Sequence, residues 1–80
     1  MKTFSAEVKA NMEALQQSLR ALRQERGLTQ VQLGDMVGVS QPFISQLERG
    51  HIENIEIKTL MRLAAALGAS VDVSLKKNLR

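Results

Sequence analysis

The chain has 80 residues, no cysteine, 44% apolar side chains and only two aromatic ones, Phe4 and Phe43. This length predicts one small domain, residues 1–80, with an aliphatic core, and the lack of cysteine excludes disulfides and thiolate metal sites. The net charge is +3, and no apolar segment is long enough for a signal peptide or a membrane span, so we expect a soluble, cytoplasmic protein without membrane partners.

Residues 5–26 have the pattern of one amphipathic helix. Its apolar stripe consists of Val8, Met12, Leu15, Leu19 and Leu22. Steps of four and three residues alternate along the stripe, which is typical of a face that packs into the core, with a coiled coil as the alternative. The first turns extend beyond the rest of the domain and could instead lie on a dimer partner or fray. Gly27 ends the helix, just after Arg23 and Arg26 in a last turn that favours positive charge.

Residues 29–38 predict a short second helix. Thr29 and Gln32 have the spacing of a capping box, in which each side chain accepts a hydrogen bond from the other residue's backbone N–H. Gly38 ends this helix, because the position after a helix usually needs a left-handed backbone. Gly34 is small at the point where this helix must approach the next one closely.

A third helix follows after a three-residue turn. Ser40 is its predicted cap, and Pro42 lies in the first turn, where a missing N–H costs little. Apolar side chains at positions 33, 37, 39, 44 and 47 are expected to face inward. Two short helices joined by a tight turn with glycine predict a helix-turn-helix.

The rest of the chain predicts a fourth helix and then a different pattern. The fourth helix covers about residues 56–67, ends at Gly68, and is expected to bury Ile57, Leu60, Leu63, Ala64 and Leu67. Beyond it, apolar and polar residues alternate with the period of a strand, and the apolar ones are Val71, Val73 and Leu75. A lone strand needs a partner, so we expect these three residues to pair with the same strand of a second copy. A fifth helix or a loose tail is the alternative.

The stretch resembles the XRE family of helix-turn-helix proteins, which includes the phage repressors, Cro and many bacterial antitoxins. The matching residues are Thr29-Gln30, Leu33, Gly38-Val39-Ser40, Ile44-Ser45, Glu48-Arg49-Gly50, Ile57-Lys58-Thr59-Leu60, Leu63-Ala64 and Ala66-Leu67-Gly68. The resemblance covers about residues 15–68 and implies an all-α, lambda-repressor-like domain of four helices, to which the tail would add a C-terminal β-strand. Four helices with such a strand are similar to antitoxins of the HipB and HigA kind.

In a helix-turn-helix, the third helix enters the major groove of DNA by its N-terminal end. Ile44, Leu47 and Glu48 face the core, so the residues expected to read base edges are Gln41, Ser45 and Gln46, with Ser40 at the margin. Glutamine can pair bidentately with adenine, and serine can meet any base edge. These four side chains could instead be merely solvated.

Other contacts to DNA are expected from the ends of the helices. Gln30 and free backbone N–H groups at the start of the second helix suit a phosphate, and Arg49 and Lys58 are the nearest cations. Pro42 contributes shape, and Phe43 either packs partly against the second helix or touches a sugar or a thymine methyl group.

The resemblance also implies that Arg23 and Glu48 form a structural pair holding the first helix to the third. His51, the only histidine, is expected to be an ordinary surface residue rather than a metal ligand. We expect no metal, no cofactor and no enzymatic activity, because there is no Gly-rich phosphate loop and no set of nucleophile and base.

The sequence therefore predicts a DNA-binding homodimer on a palindromic operator, with palindromy following from two-fold symmetry. The resemblance implies a transcriptional repressor of its own promoter, and an antitoxin that also binds a cognate toxin protein. An adaptor that uses the same scaffold for protein contacts, with weak DNA affinity, is the alternative. It is favoured by residues 31–55, where Arg49 stands against Asp35, Glu48 and Glu53 for a net charge of −2.

Overall fold

A computed structural model describes residues 6–71, with side chains from residue 10 onward. Its helices are α1 (Ala6–Glu25), α2 (Gln30–Val37), α3 (Gln41–Glu48) and α4 (Ile57–Ala66). The third helix packs against both α1 and α2, and α2 also packs against α4. Within the described residues there is no strand, and none of their helices combines the length and apolarity needed to cross a membrane. The predicted all-α fold of four helices is confirmed.

The predicted tail falls mostly outside this range. Val71 is the last described residue, has no regular secondary structure, and packs partly buried against the core. Val73 and Leu75, the other two residues of the predicted dimerising strand, lie outside the described residues.

The predicted apolar stripe of α1 is wrong at Leu15. Leu19 is buried with 3% of its surface exposed and Leu22 packs against the core, but Leu15 is 37% exposed. Gln16 takes the inward position instead, with only 1% of its surface exposed. It can do so because its amide finds partners on the backbone of Ile52, which removes most of the cost of burying a polar group.

Local hydrogen bonds define both ends of α2 as predicted. The Thr29 hydroxyl accepts from the Gln32 backbone N–H at 3.0 Å, and the Gln32 side chain accepts from the Thr29 N–H at 2.8 Å. Gly38 follows the helix with φ of 79°, and its N–H donates to the Gly34 carbonyl. The capping box and the glycine stop are therefore confirmed.

The turn into α3 leaves no room beside Gly34. A Cβ atom at this position would lie 2.6 Å from the Val39 carbonyl oxygen, well inside van der Waals contact. Ser40, the residue after Val39, caps α3, its hydroxyl accepting from the Phe43 N–H at 3.2 Å. The close approach predicted at Gly34 is confirmed, and the nearest atom is the Val39 carbonyl oxygen in the turn rather than an atom of α3.

The core lies between the four helices and is aliphatic, as expected. Its buried members are Leu19, Leu33, Val37, Ile44, Leu47, Leu60, Leu63 and Leu67. The prediction that Ile57 is buried is wrong, since it is 53% exposed in the first turn of α4, at the edge of the stripe that Leu60 and Leu63 continue. Arg62 on the outer face of α4 donates a hydrogen bond to the Val37 carbonyl at the end of α2.

Candidate nucleic-acid interface

The sequence of α3 divides it into a buried and an exposed face. Ile44, Leu47 and Glu48 are buried, at 0%, 1% and 6% exposure. The other side chains of the helix and its cap are accessible: Ser40, Gln41, Pro42, Gln46 and Arg49 are exposed, while Phe43 and Ser45 are partly buried. Phe43 packs against the core, as the first of its two alternatives predicts. The exposed face is polar and lies on the outside of the molecule.

A chain of hydrogen bonds fixes the start of α3 to the rest of the fold. The Gln41 amide nitrogen donates to the Gln30 side-chain oxygen at 2.6 Å, and the Gln30 amide nitrogen donates to Glu48 Oε1 at 3.1 Å. Gln30 is the first residue of α2 and Gln41 the first of α3. The N-termini of the two helices are thus held together by side chains at the surface.

The chain ends on a buried ion pair between α1 and α3. Arg23 Nε lies 2.6 Å from Glu48 Oε2, and Arg23 donates a second bond to Glu48 Oε1 at 3.0 Å. A third donor of the same guanidinium reaches the Leu28 carbonyl at 2.7 Å. The side chains are 11% and 3% exposed. This bidentate geometry is the strongest form that an arginine–carboxylate pair takes.

Both charges of this pair are secured at neutral pH. Burial alone would raise the pKa of Glu48, but hydrogen bonds from Arg23 and Gln30, together with the charges of Arg23 and Arg20, outweigh it and lower that pKa. The hydrogen bond to Glu48 raises the pKa of Arg23 against the opposing effect of burial. Glu48 is therefore ionised under physiological conditions, and it acts as a fixed acceptor for Gln30.

These groups line one open concavity on the surface. Its lining residues are Arg20, Arg23, Gln30, Gln41, Ser45, Glu48 and Arg49. Three arginines stand against one carboxylate there, so the concavity is positive although residues 31–55 carry a net negative charge. Amide groups that can both donate and accept lie beside guanidinium groups that only donate. Such a surface suits a polyanion that also presents hydrogen-bonding edges.

The structure brings together only part of the predicted site. Gln30, Gln41, Ser45 and Arg49 line the concavity with the Arg23–Glu48 pair. Gln46 and Pro42 are exposed elsewhere on α3, and Lys58 is exposed in the first turn of α4, outside the lining. His51 is exposed in the loop after α3.

Two residues of this region escaped the sequence analysis. Arg20 lines the concavity, one helical turn before Arg23, and the three-residue spacing on α1 was the signal that could have revealed it. Gln16 is buried beside the loop after α3, and no local pattern distinguishes it from the exposed glutamine at position 17.

Comparison with known proteins agrees with this geometry. A family model described as Helix-turn-helix matches residues 19–73. The chain is 34% identical over 58 residues to the putative antitoxin HigA2 of Mycobacterium tuberculosis, covering 72% of this chain and 57% of that protein. The chain spans about three fifths of the length of the curated relatives first matched.

Two solved structures have a similar fold. The clp gene regulator ClgR from Corynebacterium glutamicum superposes with a TM-score of 0.70 at 38% identity, covering 75% of this chain and 76% of that one. A toxin–antitoxin module from Streptococcus pneumoniae gives a TM-score of 0.67 at 32% identity, covering 92% of this chain and 84% of that one. With the capped helices, the glycine turn and a family match over most of its length, the chain belongs to the XRE-type helix-turn-helix family.

Proposed function

We propose that this chain is a sequence-specific DNA-binding transcriptional regulator that reads the major groove with α3. The observation that supports this most strongly is the hydrogen-bonded chain from Gln41 through Gln30 to the buried Glu48–Arg23 pair. An exposed glutamine normally samples many rotamers, and ordering it on binding costs free energy. Here the hydrogen bond to Gln30 favours one orientation of the Gln41 amide before any ligand arrives.

The fixed amide keeps the groups that adenine requires. Gln41 uses one N–H for Gln30, which leaves its carbonyl oxygen and a second N–H. Those two groups match adenine N6 and N7 in the major groove. We assign base contacts to Gln41, Ser45 and Gln46, with Ser40 at the margin of the reading surface.

Phosphates would be met on either side of these residues. Arg20 and Arg49 line the concavity, and Gln30 lies at the N-terminus of α2, where backbone N–H groups and the helix dipole favour an anion. Lys58 would reach a more distant phosphate, while Pro42 and Phe43 would contribute shape and contact with sugar or methyl groups. These contacts orient the protein and carry no sequence information themselves.

The regulator would act as a homodimer on a palindromic operator near its own promoter. Two α3 helices related by a two-fold axis meet half-sites about 34 Å apart, one turn of DNA. A domain of this size also gains stability from a second copy. We assign the pairing to the alternating residues Val71, Val73 and Leu75.

We further propose that the chain is the antitoxin of a toxin–antitoxin pair. The support is the similarity to the putative antitoxin HigA2 and to the toxin–antitoxin module of known structure. Co-expression with the protein encoded beside this chain's gene tests it. Growth arrest by that neighbour alone, relieved by this chain, is expected. An innocuous neighbour that forms no complex with it would refute the antitoxin proposal and leave DNA binding untouched.

The decisive experiment for DNA binding measures affinity for upstream DNA and for random DNA across a salt series. Gln41→Ala and Gln46→Ala should each lose roughly 1–3 kcal/mol of specific binding, about 5- to 150-fold, and keep non-specific binding. Gln24→Ala, which alters an exposed glutamine on α1, is the matched control. Wild-type protein that prefers no sequence would refute base reading and support the adaptor alternative.

A further inference from the structure

Gln16 is the most deeply buried polar side chain among the described residues, with 1% of its surface exposed. Its amide makes a reciprocal pair with the backbone of Ile52. Gln16 Nε2 donates to the Ile52 carbonyl at 2.6 Å, and the Ile52 N–H donates to Gln16 Oε1 at 3.2 Å. Ile52 lies in the loop between α3 and α4, 36 residues further along the chain.

The loop rests on α1 at neighbouring positions as well. Gly50 has φ of 78°, and a Cβ there would lie 3.3 Å from Glu13 Cβ and 3.4 Å from Glu13 Cα. The Gln17 amide lies 3.5 Å from the Arg49 carbonyl, at the limit of a hydrogen bond. The chain leaving α3 is therefore laid along one face of α1, and Gln16 makes the short bonds that fix its position.

These bonds form the second of two attachments between α1 and the end of α3. Arg23 holds Glu48, the last residue of α3, and Gln16 holds Ile52, four residues later. The two α1 residues are seven positions apart, which is about two helical turns or roughly 10 Å along the axis. The core side chains of α3 hold the helix against α1 and α2, and these two polar attachments add fixed positions at its C-terminal end and in the loop that follows.

We propose that Gln16 is a positioning residue for DNA recognition, which rests on the DNA-binding function proposed above. By fixing the loop after α3, it sets the orientation of α3 relative to α1. The base-reading amides of α3 and the phosphate contact from Arg20 on α1 then meet the same DNA together. Gln16 itself touches no DNA in this assignment.

The burial of an amide at this place supports a positional role. A leucine would fill a core position without the cost of removing a polar group from water. The amide gains only because it satisfies both backbone groups of a single loop residue, and that fixes the loop in one register. Without it, the loop would populate displaced positions, and apparent affinity would fall in proportion to the fraction of molecules still competent to bind.

Gln16→Glu is the sharpest test, because it changes the pattern of donors without changing the shape. An ionised carboxylate accepts from the Ile52 N–H but cannot donate to the Ile52 carbonyl, whereas a protonated carboxyl can do both. Burial and the facing carbonyl raise the pKa of the introduced group. Specific affinity should therefore be about tenfold below wild type near pH 8 and recover to within about twofold near pH 5.5.

Other charged groups near Gln16 and Ile52 also respond to pH, and their effect is removed by comparing each variant with wild type at the same pH. On α1 the ionisable neighbours within a turn of Gln16 are Glu13 and Arg20, and Arg49, His51 and Glu53 flank Ile52 in the loop. These groups are the same in every variant. Each affinity is therefore divided by the wild-type value at the same pH.

Gln24→Glu, which adds the same charge at an exposed position of α1, should stay within about twofold of wild type at both pH values. Gln16→Leu removes the pairing at every pH, so its specific affinity should stay about tenfold low throughout while random-DNA binding and the circular dichroism of the folded state are retained.

Equal ratios for Gln16→Glu at the two pH values would overturn the proposal. So would a loss of random-DNA binding as large as the specific loss, since that marks a general loss of folded protein. If wild-type protein shows no sequence preference at all, the DNA-binding function fails first, and this outcome is seen before any variant is compared. Specific binding by wild type with unchanged binding by Gln16→Leu would refute the positioning role alone.

Discussion

Replacing one partner of the Arg23–Glu48 ion pair should lower the free energy of unfolding more than replacing both partners. Glu48→Leu leaves the Arg23 guanidinium facing an apolar side chain, and the arginine side chain is only 11% exposed. Breaking a buried pair by deleting one partner typically costs 3–5 kcal/mol, so we expect a loss of about 4 kcal/mol in the free energy of unfolding. Arg23→Met leaves Glu48 uncompensated, and we expect a loss of about the same size.

The double variant Arg23→Met with Glu48→Leu should be more stable than either single variant. It removes both charges and fills the space with apolar groups of similar volume. The double variant still lacks two hydrogen bonds, from Arg23 to the Leu28 carbonyl and from Gln30 to Glu48, which together contribute about 1–3 kcal/mol. Two single losses of about 4 kcal/mol and a double loss of about 1–3 kcal/mol give a coupling energy of about 5–7 kcal/mol between the two sites, well above the additivity error.

Urea unfolding followed by circular dichroism at neutral pH and about 15 °C measures these differences near maximum stability. A domain of this length has a free energy of unfolding of about 4–12 kcal/mol, so the single variants keep little margin. Glu25→Gln removes an exposed charge from the same helix and should change stability by less than about 0.5 kcal/mol. A double variant that loses the sum of the two single losses would refute the account of a coupled buried pair.

Three further outcomes follow from the same geometry. The pKa of Glu48 lies below its ordinary value of about 4.3. The stability advantage of wild type over Glu48→Gln should therefore be full at pH 7 and disappear as the pH falls below about 4. An advantage that grew on acidification would contradict the lowered pKa. Gly34→Ala should destabilise by about 1–3 kcal/mol in urea unfolding, because its methyl group meets the Val39 carbonyl. Stabilisation by up to about 1 kcal/mol, as helix propensity alone predicts, would refute the close contact. Leu19→Ala should cost about 2–5 kcal/mol and Leu15→Ala clearly less in the same assay, since the two leucines are 3% and 37% exposed. Equal losses would indicate that Leu15 is buried like Leu19, as the apolar stripe predicts.

The parts of the fold that sequence predicts well depend on partners within a few residues. Thr29 and Gln32 bond to each other across three positions, and Gly38 ends α2 through a bond to a carbonyl four residues back. Ser40 caps α3 in the same way. The residue types and their spacing contain all the atoms involved, so the boundaries of α2 and α3 follow without knowledge of the rest of the chain.

The parts that sequence predicts poorly depend on distant partners. Leu15 and Gln16 are adjacent, and periodicity predicts that the leucine is the buried one. Gln16 is buried instead, because its amide bonds to the backbone of Ile52, 36 residues away. Ile57 fits the stripe of α4 by spacing but is the first residue of that helix, where its side chain is 53% exposed. Arg20 joins the candidate site only because α1 passes beside the N-termini of α2 and α3. Periodicity describes one helix at a time and cannot contain these relations.

The distribution of charge suits a proposed reading surface that depends on hydrogen-bonded amides. Residues 31–55 carry one basic and three acidic groups, so long-range attraction from α3 itself is weak. Arg23 and Glu48 neutralise each other, but Arg20 from α1 and Arg49 also line the concavity and leave it positive. For the proposed DNA binding we therefore expect a low non-specific affinity that depends only modestly on salt. Discrimination would then come from Gln41, whose amide is already oriented before binding. In the proposed function, specificity would therefore come from a few oriented contacts rather than from many.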